Sequence, residues 1–190
     1  MVEIVDRRLR RDQPIVLTVP GLRNSGPDHW QTTWEAAEPT WKRVQQADWN
    51  TPPRADWIST IDAAVRAAPG PAVLVAHSLG CAAVVHWAKL GHLIQGALLV
   101  APSDPEAPSF PEGPRDFGPM PRERLLFRSI VAASSDDPYL SLERARLFAE
   151  GWGSTFVNVG RRGHINAASG IGAWPEGRAL LERLLREGSG

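Results

Sequence analysis

Short apolar runs recur along the chain and alternate with longer stretches of helical period. Ile15-Val16-Leu17-Thr18-Val19 is a continuous apolar run stopped by Pro20-Gly21, and Pro71 to Ala76, Ile94 to Val100, Ser129 to Ala133 and Thr155 to Val159 read the same way. Continuous rather than alternating runs predict strands buried on both faces, as in a parallel sheet. Trp41 to Ala47 is more polar and predicts an edge strand. Between these runs, residues 29–37, 57–68, 79–90, 140–150 and 174–186 predict helices. Asp28 and Asp56 stand where N-caps of the first two are expected. Trp57, Ile61, Ala64, Val65 and Ala68 form one apolar stripe, and Leu142, Ala145, Leu147 and Phe148 another. Residues 1–13 are charged and predict a loosely held entry or an extra edge strand.

Strands alternating with helices at this spacing predict a single α/β domain spanning 1–190. The expected architecture is a mostly parallel six-stranded sheet with helices on both faces. Residues 101–122 break the alternation with seven prolines, which excludes a helix interior or a central strand there. A loop of that length in a compact domain is expected to serve the site, here as a loop or cap over the active face.

Composition adds mostly exclusions. The formal charge is zero over 190 residues and 43% of them are apolar, so neither nucleic acid nor an acidic membrane surface is an expected partner. No stretch approaches a membrane span, and the charged N-terminal segment lacks a signal core. The single cysteine, Cys81, excludes an intramolecular disulfide and fits a reducing compartment, with the cytoplasm the expected location. No cluster with metal-ligand spacing and no phosphate-cradling glycine loop occurs, so no cofactor is expected. Eight tryptophans predict an aromatic-lined core or pocket. Nothing points to a protein partner.

Chemistry enters at the strand ends, where ligands of open α/β sheets bind. Ala76-His77-Ser78-Leu79-Gly80 places a serine between small residues on a strand-to-helix turn. This is the nucleophile-elbow pattern with alanine in place of its first glycine. A large side chain two residues either side of Ser78 would obstruct so sharp a turn. The fifth strand runs into Asp136-Asp137 and the sixth into His164. The order serine, acid, histidine is the one α/β-hydrolases use. His77, next to the serine, points away if the strand alternates, and predicts packing or loop support rather than a base. Cys81 predicts a small packing residue, and His86 and His92 predict core or solvent contacts. His29, near Gly21, is a candidate pocket residue.

Val19-Pro20-Gly21, then Ser25-Gly26-Pro27-Asp28-His29-Trp30-Gln31, the elbow, Asp136-Asp137-Pro138, Gly163 to Gly170 and Trp174-Pro175-Glu176-Gly177 together resemble the small serine hydrolases related to vertebrate retinoblastoma-binding protein 9, in its bacterial branch. The resemblance spans nearly the whole chain and implies a minimal α/β-hydrolase lacking the first two strands of larger relatives. It also implies that the triad acid is Asp137 and that alanine at position 76 is tolerated.

The expected function is hydrolysis of a small apolar ester, thioester or amide, carboxylesterase-like, by Ser78, His164 and Asp137 through an acyl-enzyme. The backbone amides of Leu22 and Leu79 are the expected oxyanion donors. Trp30, His29, Phe110 and Phe117 are the expected substrate-pocket residues. The alternative is a protein-interaction module on the same scaffold with little or no catalysis.

Overall fold

The computed structural model describes residues 14–108, 110 and 113–187. The expected entry segment, residues 1–13, lies outside them. Six strands form one sheet: β1 (Ile15–Val19), β2 (Lys42–Arg43), β3 (Ala72–His77), β4 (Gly96–Val100), β5 (Arg128–Ala133) and β6 (Thr155–Asn158). Their order is β2-β1-β3-β4-β5-β6 and every pairing is parallel. The described residues form five helices, four between strands and the last after β6: α1 (Trp30–Ala37), α2 (Arg54–Ala67), α3 (Leu79–Ala88), α4 (Leu142–Trp152) and α5 (Pro175–Glu187).

Alternation along the strands divides the core in two. Leu17, Val19, Leu74, Ala76, Ala97, Leu99 and Val131 face α2, α3 and α4, whereas Val16, Val73, Val75, Leu98, Val100 and Ile130 face α1 and α5. Both faces are therefore apolar, which is why the central strands read as unbroken hydrophobic runs. Helix α3 is buried around its circumference, with Leu79 through Val85 and Trp87 inaccessible. It packs against the sheet and α2, so it carries no polar stripe.

Several boundaries differ from the sequence reading. Strand β2 has only two paired residues, because the polar segment around it meets the sheet at an edge; the bond from Val44 N–H to Thr18 O extends the contact by one step. Helix α1 is capped by His29, whose Nδ1 accepts from Gln31 N–H at 3.2 Å, and not by Asp28. Helix α2 begins earlier, at Arg54 after Pro53, which leaves Asp56 in the first turn where its charge suits the positive end of the helix. In α4 the buried residues are Ala145, Phe148, Ala149 and Trp152, while Leu147 is 48% exposed. The indole of Trp152, donating to Pro121 O at 2.7 Å, extends the buried stripe two residues beyond the predicted helix end. Within 101–122 the described residues contain one short 3-10 turn, Arg115–Phe117.

The chain leaves β1 toward β2 on one side and returns to β3 on the other, so the topological switch falls between the ends of β1 and β3. In open parallel sheets that crevice is where ligands are held.

Candidate active site

Ser78 stands at this switch. Strand β3 ends at His77, and the ladder continues one step as Ser78 N–H donates to Val100 O at 3.0 Å. The chain then turns into α3, opened by the bond from Cys81 N–H to Ser78 O. Making that turn in one residue puts Ser78 at φ 55°, ψ −123°, a region costing a non-glycine residue about 1–3 kcal/mol. Two glycines allow it. A Cβ on Gly80 would lie 2.3 Å from Val19 O, and one on Gly21 would lie 2.7 Å from Ser78 Cβ. Both gaps are far below van der Waals contact, so β1, the elbow and the start of α3 touch backbone to backbone.

His164 comes from the loop after β6. Its Nε2 lies 2.8 Å from Ser78 Oγ, and its Nδ1 lies 3.0 and 2.9 Å from the two carboxylate oxygens of Asp137. The Asp137 side chain is 2% exposed and also accepts from Tyr139 N–H at 2.9 Å. A carboxylate only accepts, so Nδ1 carries the histidine proton and Nε2 is left as an acceptor. Ser78 O–H must then donate to Nε2. It follows that Ser103, whose Oγ is 2.9 Å from Ser78 Oγ, donates to the serine oxygen.

The neighbouring Asp136 has a different task. Its Oδ1 accepts from Ser134 Oγ and Gly163 N–H, both at 2.8 Å, tying the strand-β5 turn to the loop that carries His164. These two bonds hold its carboxyl below the usual carboxylate range.

That loop is fixed from the opposite face as well. His77 Nε2 is 2.9 Å from His164 O, and Trp30 Nε1–H donates to Ile165 O at 2.8 Å. Because a carbonyl cannot donate, His77 carries its proton on Nε2. Burial, with smaller contributions from His164 and His29, pushes the His77 pKa well below its ordinary value. His29 is likewise lowered to about 4, by burial first and then by Arg43 and His164.

A cavity of about 250 Å³ opens over Ser78, lined by Leu22, Arg23, Leu79, Ser103, Phe110, Tyr139, His164 and Asn166. Of the four pocket residues expected from sequence, Phe110 lies on this cavity. Trp30, His29 and Phe117 do not line it. Trp30 is fully buried behind the His164 loop, His29 caps α1, and Phe117 packs edge-on against Trp57. None of the eight tryptophans lines the cavity. They fill the two core faces instead, so tryptophan content is no guide to the substrate. Leu22 and Leu79 both line the cavity, and Leu79 opens α3, whose first amides have no acceptor within the helix.

Ser103, Tyr139, Asn166 and Arg23 were not singled out from the sequence. Ser103 follows the end of β4 by three residues, so the strand-end rule applied to that strand would have found it. Cys81 is fully buried, its Sγ bonded to Val100 O at 3.4 Å, and burial pushes its thiol pKa far up. It packs the elbow and is no competing nucleophile. His86 donates to Phe117 O, and His92 sits beside Asp62 and stacks on Trp87. Among the described residues, no three His, Cys, Asp or Glu side chains are grouped to hold a metal ion, and no helix is long and apolar enough to cross a membrane.

The family described as serine hydrolase matches residues 16–183. A YdeN-like hydrolase from Pectobacterium atrosepticum superposes with a TM-score of 0.84 at 31% identity, covering 98% of this chain and 97% of its own. The ydeN gene product of B. subtilis gives 0.75 at 19% identity, over 92% and 99% of the two chains. A monoacylglycerol lipase from Paleococcus ferrophilus shares the fold, with a TM-score of 0.68 at 14% identity over 92% and 96%. No curated protein matches the chain.

Proposed function

The chain belongs to the serine hydrolase family, and from that premise we propose that it cleaves a small carboxylic ester, thioester or amide through an acyl-enzyme formed on Ser78. The observation that carries this reading is the single imidazole of His164 within hydrogen-bond distance of both Ser78 Oγ and the Asp137 carboxylate.

In the proposed reaction Ser78 Oγ attacks the substrate carbonyl as its proton passes to His164 Nε2. Asp137 holds the Nδ1–H tautomer and stabilises the imidazolium that forms. The amides of Leu22 and Leu79 receive the oxyanion, each such donor typically being worth about 10²–10³ in turnover. The imidazolium then returns its proton to the leaving alcohol, thiol or amine. Water, deprotonated by the same imidazole, attacks the acyl-enzyme, and collapse of the second tetrahedral intermediate releases the acid and regenerates Ser78. The cavity, about 250 Å³, is smaller than the range of about 300–1,000 Å³ typical of drug-sized ligands. That supports a short acyl or leaving group over a long lipid chain.

A fluorophosphonate probe tests the reading. Wild type should be labelled stoichiometrically and Ser78→Ala not at all. A folded wild type that resists the probe would overturn it in favour of an idle, binding scaffold.

A further inference from the structure

Arg23 stands at the cavity rim and takes no part in the chemistry described above. Three observations set it apart. It lines the same cavity as Ser78, Leu79 and His164, one residue beyond the expected oxyanion donor Leu22. It supplies a fixed positive charge to a wall where, among the described residues, no Asp or Glu lines the cavity, and Asp137 lies behind His164, engaged by it and by Tyr139 N–H. Several other arginines meet acids, Arg43 with Glu35, Arg66 with Asp62, Arg144 with Asp104 and Arg178 with Glu38, while others such as Arg115 and Arg146 meet a carbonyl or an aromatic ring. No ion pair joins Arg23 to a carboxylate among the described residues.

The third observation is conformational. Arg23 and Asn24 are both left-handed, each with φ 65°, where glycine alone is unstrained. Asn24 has a local reason to be there. Asparagine tolerates this region, and its Oδ1 accepts from Ser25 N–H at 2.8 Å and from Arg43 Nη1 at 3.0 Å. Arg23 has no such compensation in its side chain. Its backbone is pinned by the bond from its N–H to Trp49 O at 2.7 Å. The chain therefore spends conformational energy to keep an arginine, a residue always charged and shaped to grip a carboxylate with two parallel bonds, at the mouth of the site.

We propose that Arg23 is a specificity-determining residue that makes the Ser78 cavity prefer substrates bearing an anionic group, a carboxylate foremost, a few bonds from the scissile carbonyl. The proposal rests on Ser78 being the nucleophile. It replaces the apolar substrate expected from sequence with an amphiphilic one: an uncharged acyl centre between Leu22, Leu79, Phe110 and Tyr139, and a negative charge toward Arg23.

Two matched ester pairs test it and locate the charge. 4-Acetoxybenzoate and its methyl ester place the charge in the leaving group; 4-nitrophenyl hydrogen adipate and its methyl ester place it in the acyl group. In Arg23→Gln, kcat/KM for the charged member of at least one pair should fall about tenfold or more, mainly through KM, with the neutral member changed less than about twofold. Arg23→Lys should recover part of the loss, and raising salt should weaken the wild-type preference. Arg23→Gly should melt higher than wild type, the strain being relieved, yet lose the same discrimination. A charged-to-neutral ratio identical in wild type and Arg23→Gln for both pairs overturns the proposal. Labelling of Ser78 by the fluorophosphonate separates the two levels. A labelled enzyme with an unchanged ratio refutes Arg23 alone, whereas an unlabelled wild type that cleaves neither pair refutes the hydrolase reading and this proposal with it.

Discussion

His77 Nε2–H donates to the main-chain oxygen of His164 at 2.9 Å, so the residue before the candidate nucleophile holds the backbone of the candidate base. The two halves of the site are thus joined by a bond that neither reacting side chain makes. Trp30 adds a second clamp one residue on, at Ile165 O, and Ile165 itself is held at φ 48°.

His77→Phe should therefore lower kcat about 10–100-fold with little change in KM, since displacements of an ångström or so at a base have effects of that size. His77→Gln keeps an N–H of similar reach and should recover most of the rate. If Gln and Phe are equally impaired, the hydrogen bond is not what positions His164. Steady-state kinetics on one chromogenic ester decide it.

The paired aspartates should separate cleanly. Asp137→Asn removes the charge and replaces one carboxylate oxygen with an N–H2 donor, which favours the wrong His164 tautomer, and kcat should fall about 10⁴-fold with the fold intact. Asp136→Asn loosens a loop tie but leaves the imidazole its partner, so activity should stay within about tenfold while the melting temperature drops. Equal losses of activity in both variants would show that the acid is misassigned.

Glycine replacements distinguish folding from chemistry. Gly80→Ala drives a Cβ to 2.3 Å from Val19 O, a backbone atom that cannot retreat without moving β1. A loss of about 3 kcal/mol or more, or failure to fold, is expected. Gly21→Ala meets the Ser78 Cβ at 2.7 Å, and the protein should fold but with the elbow and the Leu22 amide displaced. Its activity should fall by far more than its denaturation midpoint predicts. Urea unfolding and activity measured on the same preparations test both.

Stability should decline with acid through the buried histidines. His29 is held near 4 against 6.5 in the unfolded chain, and His77 is lowered too. As pH falls below about 6.5 the unfolded state binds protons that the folded state refuses, so folding weakens until the folded pKa is reached. For His29 the loss is about 3 kcal/mol by about pH 4. His29→Asn keeps an oxygen to cap α1 and should flatten the curve of urea midpoint against pH between those limits. Parallel curves for the variant and wild type would assign the acid sensitivity elsewhere.

The strands and the order of the three candidate residues could be read from the sequence for a physical reason. A parallel sheet buried on both faces leaves uninterrupted apolar runs, and such a fold collects its chemistry where those runs stop. Ser78, Asp137 and His164 all follow run ends. What could not be read depends on contacts between distant segments. The cap of α1 passed from Asp28 to His29 because that ring also packs against His77, at 4.7 Å between centroids. Phe110 and Phe117 are seven residues apart in the same proline-rich stretch, yet one reaches the cavity and the other the core, a difference no local pattern carries. Arg23 carries no local signal, because what distinguishes it is a backbone angle and a cavity wall without carboxylates among the described residues.

The backbone contact of Gly21 and Gly80 around Ser78 has an evolutionary corollary. The parts that perform bond cleavage are wedged against a strand of the central sheet and tolerate almost no change. The residues around the opening, Arg23, Phe110, Tyr139 and Asn166, hang from four separate connections, so a change at one does not press on that contact. A lineage built on this frame can shift the compounds it accepts by small steps while its reaction stays the same.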